Sequence, residues 1–386
     1  MVRMQAPHCT GFLRDCFSAW GAAANGVTPK THASWQKYWG HWVQYATRAG
    51  IDPFLGPTVA PIERDIVTGA FAARVRSGSY GLGHRVKAGS VTDALSAISK
   101  TIELAGRPSQ LYRSDGKYQL FIERVVEGFC RNDPPTVPQL AVPVVVAHSA
   151  FGTFASSPSP SVRRTSCLVI VAFYFLLRVG EYIKPRRVRR NGKMVPATRT
   201  CQFTVGNVGF FREGRVIPRT APLSDLLQAD LATLKIRNQK NGRMGQTITQ
   251  HATKKDMCPV KALAQIVREI LQDGGTDDTL LCAFKSQDEW LSVESNHVVA
   301  MVRDVATNLG LAKQAIDPDL IGAHSLRAGG AMALKLHGYD DTTIMKMGRW
   351  TSLTFLQYIH NQIAHLSKDI SRKMSIELPF VNVAAI

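Results

Sequence analysis

Residues 324–360 read HSLRAGGAMALKLHGYDDTTIMKMGRWTSLTFLQYIH. His324 and Arg327 stand three apart, the spacing of neighbours on one helix face. Trp350 and Tyr358 follow. An arginine beside a histidine suits a phosphodiester: the guanidinium holds charge and the imidazole can move a proton. A tyrosine downstream can serve as the nucleophile. The stretch therefore predicts a helix carrying half of a phosphate site, and the rest of the chain must supply the other half.

Two segments upstream can do so. Residues 161–183 contain the apolar run CLVIVAFYFLL and read as a buried helix ending in Arg178-Val-Gly-Glu181. A charged pair at the end of a buried helix is costly unless it is paired or functional, and composition alone leaves both readings open. Further on, 231–240 and 243–250 are strand-like runs on either side of Asn241-Gly242, the strongest short hairpin signal. That places Lys240 beside a hairpin tip, where a lysine can deliver a proton or simply face solvent. Further turns at 190–193 and 212–215 predict a small antiparallel sheet in this half of the chain.

The bulk composition agrees with an anionic partner. The chain has 386 residues, enough for two domains, and 47 Lys+Arg against 29 Asp+Glu give a net charge of +18. Nucleic acid is the first candidate and an anionic membrane the second. The apolar run 167–177 is too short to span a bilayer, and the first residues lack a signal-peptide core, so a soluble intracellular protein is expected. Seven scattered cysteines without a C-x-x-C pair predict reduced thiols rather than a disulfide framework or zinc site. No P-loop, G-x-G-x-x-G or H-E-x-x-H is present, and no metal is expected.

Organisation follows from punctuation. Residues 1–30 read as a loosely ordered lead-in. Residues 31–132 read as a helical domain, beginning with Trp35, Tyr38, Trp39, Trp42 and Tyr45 at helical intervals, a stripe expected to be core. Amphipathic helices are expected at 63–76, 92–104 and 117–130, the last with Leu120, Phe121, Val125 and Phe129 on one face. The glycine-rich loop 74–87 carries Arg74, Arg76, Arg85 and Lys87, which suit a phosphate backbone or plain solvent. Prolines at 134, 135 and 138 mark a linker, taken as 133–143, before a second domain at 144–375. The apolar tail 376–386 is expected to dock on its own domain or a neighbour. The fold class is thus mainly α with a small antiparallel β-sheet in the second domain.

In order and spacing, Arg178, Lys240, His324, Arg327, Trp350 and Tyr358 resemble the active-site set of the tyrosine recombinases. The resemblance is nearest to the branch carried by DIRS/Ngaro-type retrotransposons and Crypton elements. It rests on LLRVGEYI (176–183), ADLATLKI (229–236), QKNG (239–242), CPVKAL (258–263), HSLRAGGA (324–331), GRWTS (348–352) and FLQYIH (355–360). It covers about residues 160–386, and 31–42 more weakly resembles the family's helical core-binding domain.

The resemblance implies a two-domain clamp around double-stranded DNA, with a core-binding domain and an α+β catalytic domain. It implies that Arg178 and Arg327 hold the scissile phosphate and Tyr358 attacks phosphorus to give a 3′-phosphotyrosyl bond. His324 would relay the proton, Lys240 would protonate the 5′-oxygen, and Trp350 would donate a hydrogen bond without carrying a proton. Glu181 would orient Arg178 as a supporting partner. Arg237, Arg243 and Arg349 join the loop residues as candidate DNA contacts. No cofactor is implied. A homodimer on one site, a homotetramer in synapsis and a DNA-associated location, nuclear in a eukaryotic host, are implied as well. Competing readings are a non-catalytic DNA-binding derivative and a topoisomerase-like enzyme with the same chemistry but no synapsis.

Overall fold

A computed structural model describes residues 26–356 with 14–15, 18–19 and 22, except 82, 136–138, 191–192, 198–199, 239–244, 254–255 and the side chains at 188–190 and 354. It falls into two compact units, Met1–Thr136 with Arg187–Thr198, and Val137–Arg186 with Arg199–Ile386.

The first unit is built on helices α1 (Pro29–Arg48), α2 (Pro61–Arg76), α3 (Ala88–Leu104) and α4 (Leu120–Arg131). Prolines open α1 and α2, where a missing N–H is harmless, and the Thr28 hydroxyl caps α1 by accepting from the Thr31 N–H at 3.2 Å. Of the aromatic stripe, Trp42 is fully buried, while Tyr38, Trp39 and Tyr45 pack against the same core half-covered. The Trp42 indole donates to the Pro53 carbonyl at 2.7 Å and meets Phe71 edge-on. Strands β1 (Arg187–Arg190) and β2 (Lys193–Pro196) pair antiparallel in this unit.

The face expected of α4 is corrected. Ile122 and Val126 are its buried residues, whereas Leu120 and Phe121 are exposed at 58% and 47%. Val125 and Phe129 do pack against the core, half-buried, and with Ile122 and Val126 they form one i, i+3, i+4, i+7 stripe, while Leu120 and Phe121 stand off it in the first turn.

The loop after α2 closes on Gly78, whose φ is +81° and whose missing Cβ leaves room for the His84 backbone. Any side chain there meets both a left-handed backbone and a steric block. Gly78→Ala is expected to lower stability by about 1–3 kcal/mol, read by urea unfolding. A change within error would show that the loop can rearrange freely.

The second unit is organised around α6 (Pro160–Tyr174), which follows α5 (Val144–Phe154). Residues 164–173 are all buried, and Arg164 is paired inside through its two Nη atoms, which donate to the Leu281 and Ala283 carbonyls and to Glu269. A short helix α7 (Val179–Tyr182) leads to an antiparallel sheet in the order β4-β3-β5-β6, formed by β3 (Val208–Arg212), β4 (Arg215–Ile217), β5 (Leu231–Lys235) and β6 (Thr247–His251). Glu213 and Gly214 both have positive φ at the β3–β4 turn, as a tight hairpin of this hand requires. Helices α8 (Leu223–Leu226) and α9 (Pro259–Gln272), hairpin β7 (Ala283–Ser286) and β8 (Glu289–Ser292), and helix α10 (Ser295–Asn308) come next. Helices α11 (Ser325–Leu336) and α12 (Asp341–Gly348) follow, and a 3-10 turn at Leu353–Phe355 is the last element among the described residues. The whole is mainly helical with a small antiparallel sheet, as the sequence predicts.

The buried helix expected over 161–183 is interrupted. Leu177 N–H donates to the Ala172 carbonyl and Leu176 N–H to Phe173, while Leu176 takes φ +47°. This is a Schellman ending with leucine in the left-handed position that glycine usually fills. The break turns the chain so that Arg178 starts α7 instead of continuing α6.

Candidate active site

Helix α11 approaches α6 closely because Gly329 and Gly330 lack side chains. A Cβ on either would collide with a backbone carbonyl, of Val142 or of Phe173. The approach brings Arg327, in the first turn of α11, to the end of α6. Its Nη1 donates to the Leu176 carbonyl at 2.6 Å, and its Nη2 donates to the Gly348 carbonyl. The guanidinium also lies over the Trp350 ring, 4.1 Å from the centroid.

Helix α12 ends as α6 does. Trp350 N–H donates to the Met345 carbonyl, Arg349 N–H donates to Lys346, and Arg349 takes φ +59°. Two Schellman endings therefore face each other, each with a residue other than glycine in the left-handed position. A non-glycine residue there costs roughly 1–2 kcal/mol. Each helix C-terminus is a negative dipole end with unpaired carbonyls, which attracts cations. The arginines fill that role: Arg327 and Arg349 both donate to Leu176, while the Arg349 carbonyl accepts from Arg178 Nη2 at 3.2 Å.

Glu181 sits at the centre. Its Oε2 accepts from the Arg178 backbone N–H at 2.9 Å, a capping interaction at the start of α7. Arg178 Nη1 reaches Oε1 at 3.3 Å. Arg349 binds the same carboxylate with both Nη atoms, each at 3.0 Å. Two guanidinium groups thus clasp one carboxylate, a third, Arg327, shares the Leu176 carbonyl with Arg349, and the surplus is positive. Burial pushes the Arg349 guanidinium below its ordinary pKa, Glu181 opposes that shift and Arg178 adds to it. Arg178 is the more open of the two expected clamps, with 19% of its side chain exposed against 5% of the Arg327 residue. Trp350 is half-buried against Phe355, and Gly348 leaves the space its ring occupies.

The structure thus brings Arg178, Glu181, Arg327 and Trp350 together. His324 is exposed at the N-cap of α11, its backbone N–H donating to Gln139 Oε1 at 3.4 Å. Lys240, Arg243 and Tyr358 lie outside the described residues, as does the tail at 376–386. Arg74, Arg85, Lys87 and Arg237 are exposed; Arg74 lies near the Tyr80 ring and Arg237 stands 3.8 Å from Asp278.

Two of the candidate DNA contacts are buried. Arg76 is buried, donating to the Val86 and Phe129 carbonyls and pairing with Asp133, so its charge is consumed inside the first unit. Arg349 is buried at 8% exposure and clasps Glu181. Sequence reasoning missed that placement because charge alone does not reveal burial. The paired glycines at 329–330 within a helical pattern were the available sign of a close helix approach.

No protein-family model and no curated protein matches the chain. Among solved structures it is similar to the Tn1549 transposon integrase in complex with transposon right end DNA, at 9% identity and TM-score 0.43, covering 81% of this chain and 85% of that one. It is also similar to the XerH site-specific recombinase bound to palindromic difH substrate, at 12% identity and TM-score 0.45, covering 85% and 80%. The XerA recombinase is 14% identical with TM-score 0.35, covering 92% and 96%. Among the described residues, no helix is long and apolar enough to cross a membrane.

Proposed function

We propose that this chain is a DNA strand-breaking and rejoining enzyme, a site-specific recombinase of a mobile element acting on double-stranded DNA. The observation that carries the reading is the convergence of Arg178 and Arg327 in a cluster holding three arginines and one carboxylate. A structural ion pair needs one arginine. The surplus positive charge, fixed at two helix ends, suits an anionic phosphodiester and its more highly charged transition state.

In this reading Arg178 and Arg327 hold the non-bridging oxygens. The Tyr358 oxygen attacks phosphorus as His324 takes its proton, and the bond from phosphorus to the 5′-oxygen breaks. Lys240 protonates that oxygen. The product is a 3′-phosphotyrosyl bond and a free 5′-hydroxyl, and an incoming 5′-hydroxyl reverses the sequence. The phosphodiester energy stays in the protein–DNA bond, so no energy-supplying nucleotide enters the balance. Tyr182, beside Glu181, is unsuited to be the nucleophile: it is buried, and burial followed by the Glu181 charge raises its phenol pKa. Phe355, three residues before Tyr358 in the sequence, is buried beside Trp350, which supports the choice of Tyr358.

The test begins with duplexes selected from a random pool by the purified chain and rebuilt as nicked suicide substrates. The wild-type chain is expected to form a denaturant-resistant covalent adduct and Tyr358→Phe none. An adduct persisting in the variant would overturn the nucleophile assignment. Duplex binding without any adduct would favour a non-catalytic DNA-binding protein. Strand relaxation without joined duplexes would favour a topoisomerase-like activity.

A further inference from the structure

The geometry points to Arg349 as a positioning residue for this reaction: its buried guanidinium holds Glu181 and the end of α6 so that Arg178 is presented to the phosphate. The inference rests on the recombinase reading. Arg349 occupies a left-handed position at the end of α12, where glycine would sit without strain. The backbone alone therefore gives no reason for an arginine. The side chain does. It makes a two-pronged bond to Glu181, both Nη atoms at 3.0 Å, and Nη2 also reaches the Leu176 carbonyl at 3.0 Å. Its own carbonyl accepts from Arg178 Nη2 at 3.2 Å.

Arg178 is consequently held from two sides, by the carboxylate that Arg349 anchors and by the Arg349 backbone. Without the second guanidinium, Glu181 would face Arg178 with its full charge. It would draw that side chain into a simple ion pair and away from an incoming phosphate. Burial fits a positioning role better than direct contact with a duplex: Arg349 is 8% exposed and its Nε is buried without a hydrogen-bond partner among the described residues.

Two variants of the full chain separate the contributions. Arg349→Gly keeps the left-handed backbone and removes the guanidinium. Arg349→Lys keeps the charge and loses the planar fork. Single-turnover adduct formation on the suicide duplex is expected to fall about 100-fold for Arg349→Gly, the scale of a misplaced reacting group. Lysine is expected to recover only part of that, and duplex affinity to stay at the wild-type value in both.

A substrate with an uncharged methylphosphonate at the scissile position distinguishes positioning from general damage. The deficit of Arg349→Gly should narrow there, because Arg178 then has less phosphate charge to meet. An equal deficit on both substrates accompanied by lost duplex affinity, or wild-type rates in Arg349→Gly, would overturn the inference alone. If Arg349→Gly does not fold, Arg349→Lys carries the same comparison of substrates. A wild-type chain that forms no adduct overturns the recombinase reading and this inference with it.

Discussion

Arg327→Met is expected to lose about 3 kcal/mol of local stability around α11 and α12, with α1–α4 unaffected. The arginine makes two charge-assisted bonds to carbonyls, to Leu176 at 2.6 Å and to Gly348, and stacks 4.1 Å from the Trp350 ring centroid. Each bond of this kind contributes roughly 1.5–3 kcal/mol, and the ring contact adds about 1 kcal/mol. Part of this is offset, because methionine fills much of the volume and no charge need be buried. The Leu176 carbonyl also keeps its bond from Arg349 at 3.0 Å. Hydrogen exchange of peptides over residues 325–348 measures the local opening directly. Arg327→Lys, which can reach one carbonyl at a time, should fall between. If Arg327→Met changed exchange by less than about 1 kcal/mol, the clasp between the two helix ends would not be what holds them.

Much of this arrangement is legible in the sequence because it depends on local rules. Helical spacing finds α1, prolines stand at the starts of four helices as N1 residues, and Glu213-Gly214 makes the tight turn its residues predict. Arg178, Glu181 and Arg327 are visible as charges in or beside apolar helices, where burial is costly enough to demand a reason. What is not legible depends on contacts between distant segments. The break at Leu176 falls inside an unbroken apolar run, and its left-handed backbone is held by arginines supplied from α11 and from the end of α12. Arg76 and Arg349 look like surface charges until Asp133 and Glu181 are brought to them by the fold. Leu120 and Phe121 stand off the helical stripe of Ile122, Val125, Val126 and Phe129, and it is that stripe the core takes up.

Glu181→Gln is expected to have the second large effect, and its partner variant shows why. Glu181 is 1% exposed and its two oxygens accept four hydrogen bonds, two from Arg178 and two from Arg349. An amide retains one oxygen and turns two donors toward guanidinium groups that also donate. Removing one partner of a buried ion pair leaves the other uncompensated, at a cost of about 3–5 kcal/mol. Arg349→Gly strands the carboxylate less severely, since Arg178 remains beside it. The double variant removes both charges of the buried pair. Its loss should therefore be smaller than the sum of the single losses by about 2 kcal/mol, measured by hydrogen exchange over residues 174–182. Additive losses would mean that Glu181 and Arg349 act independently, which two bonds of 3.0 Å do not allow if they persist in solution. The functional expectation has the opposite sign from the electrostatic one. Glu181→Gln makes the chain more positive, so duplex affinity should not fall. Yet Arg178 loses the group that caps its backbone and orients its side chain, so adduct formation should slow. Weaker duplex binding together with an unchanged adduct rate would place Glu181 in DNA affinity rather than in the alignment of Arg178.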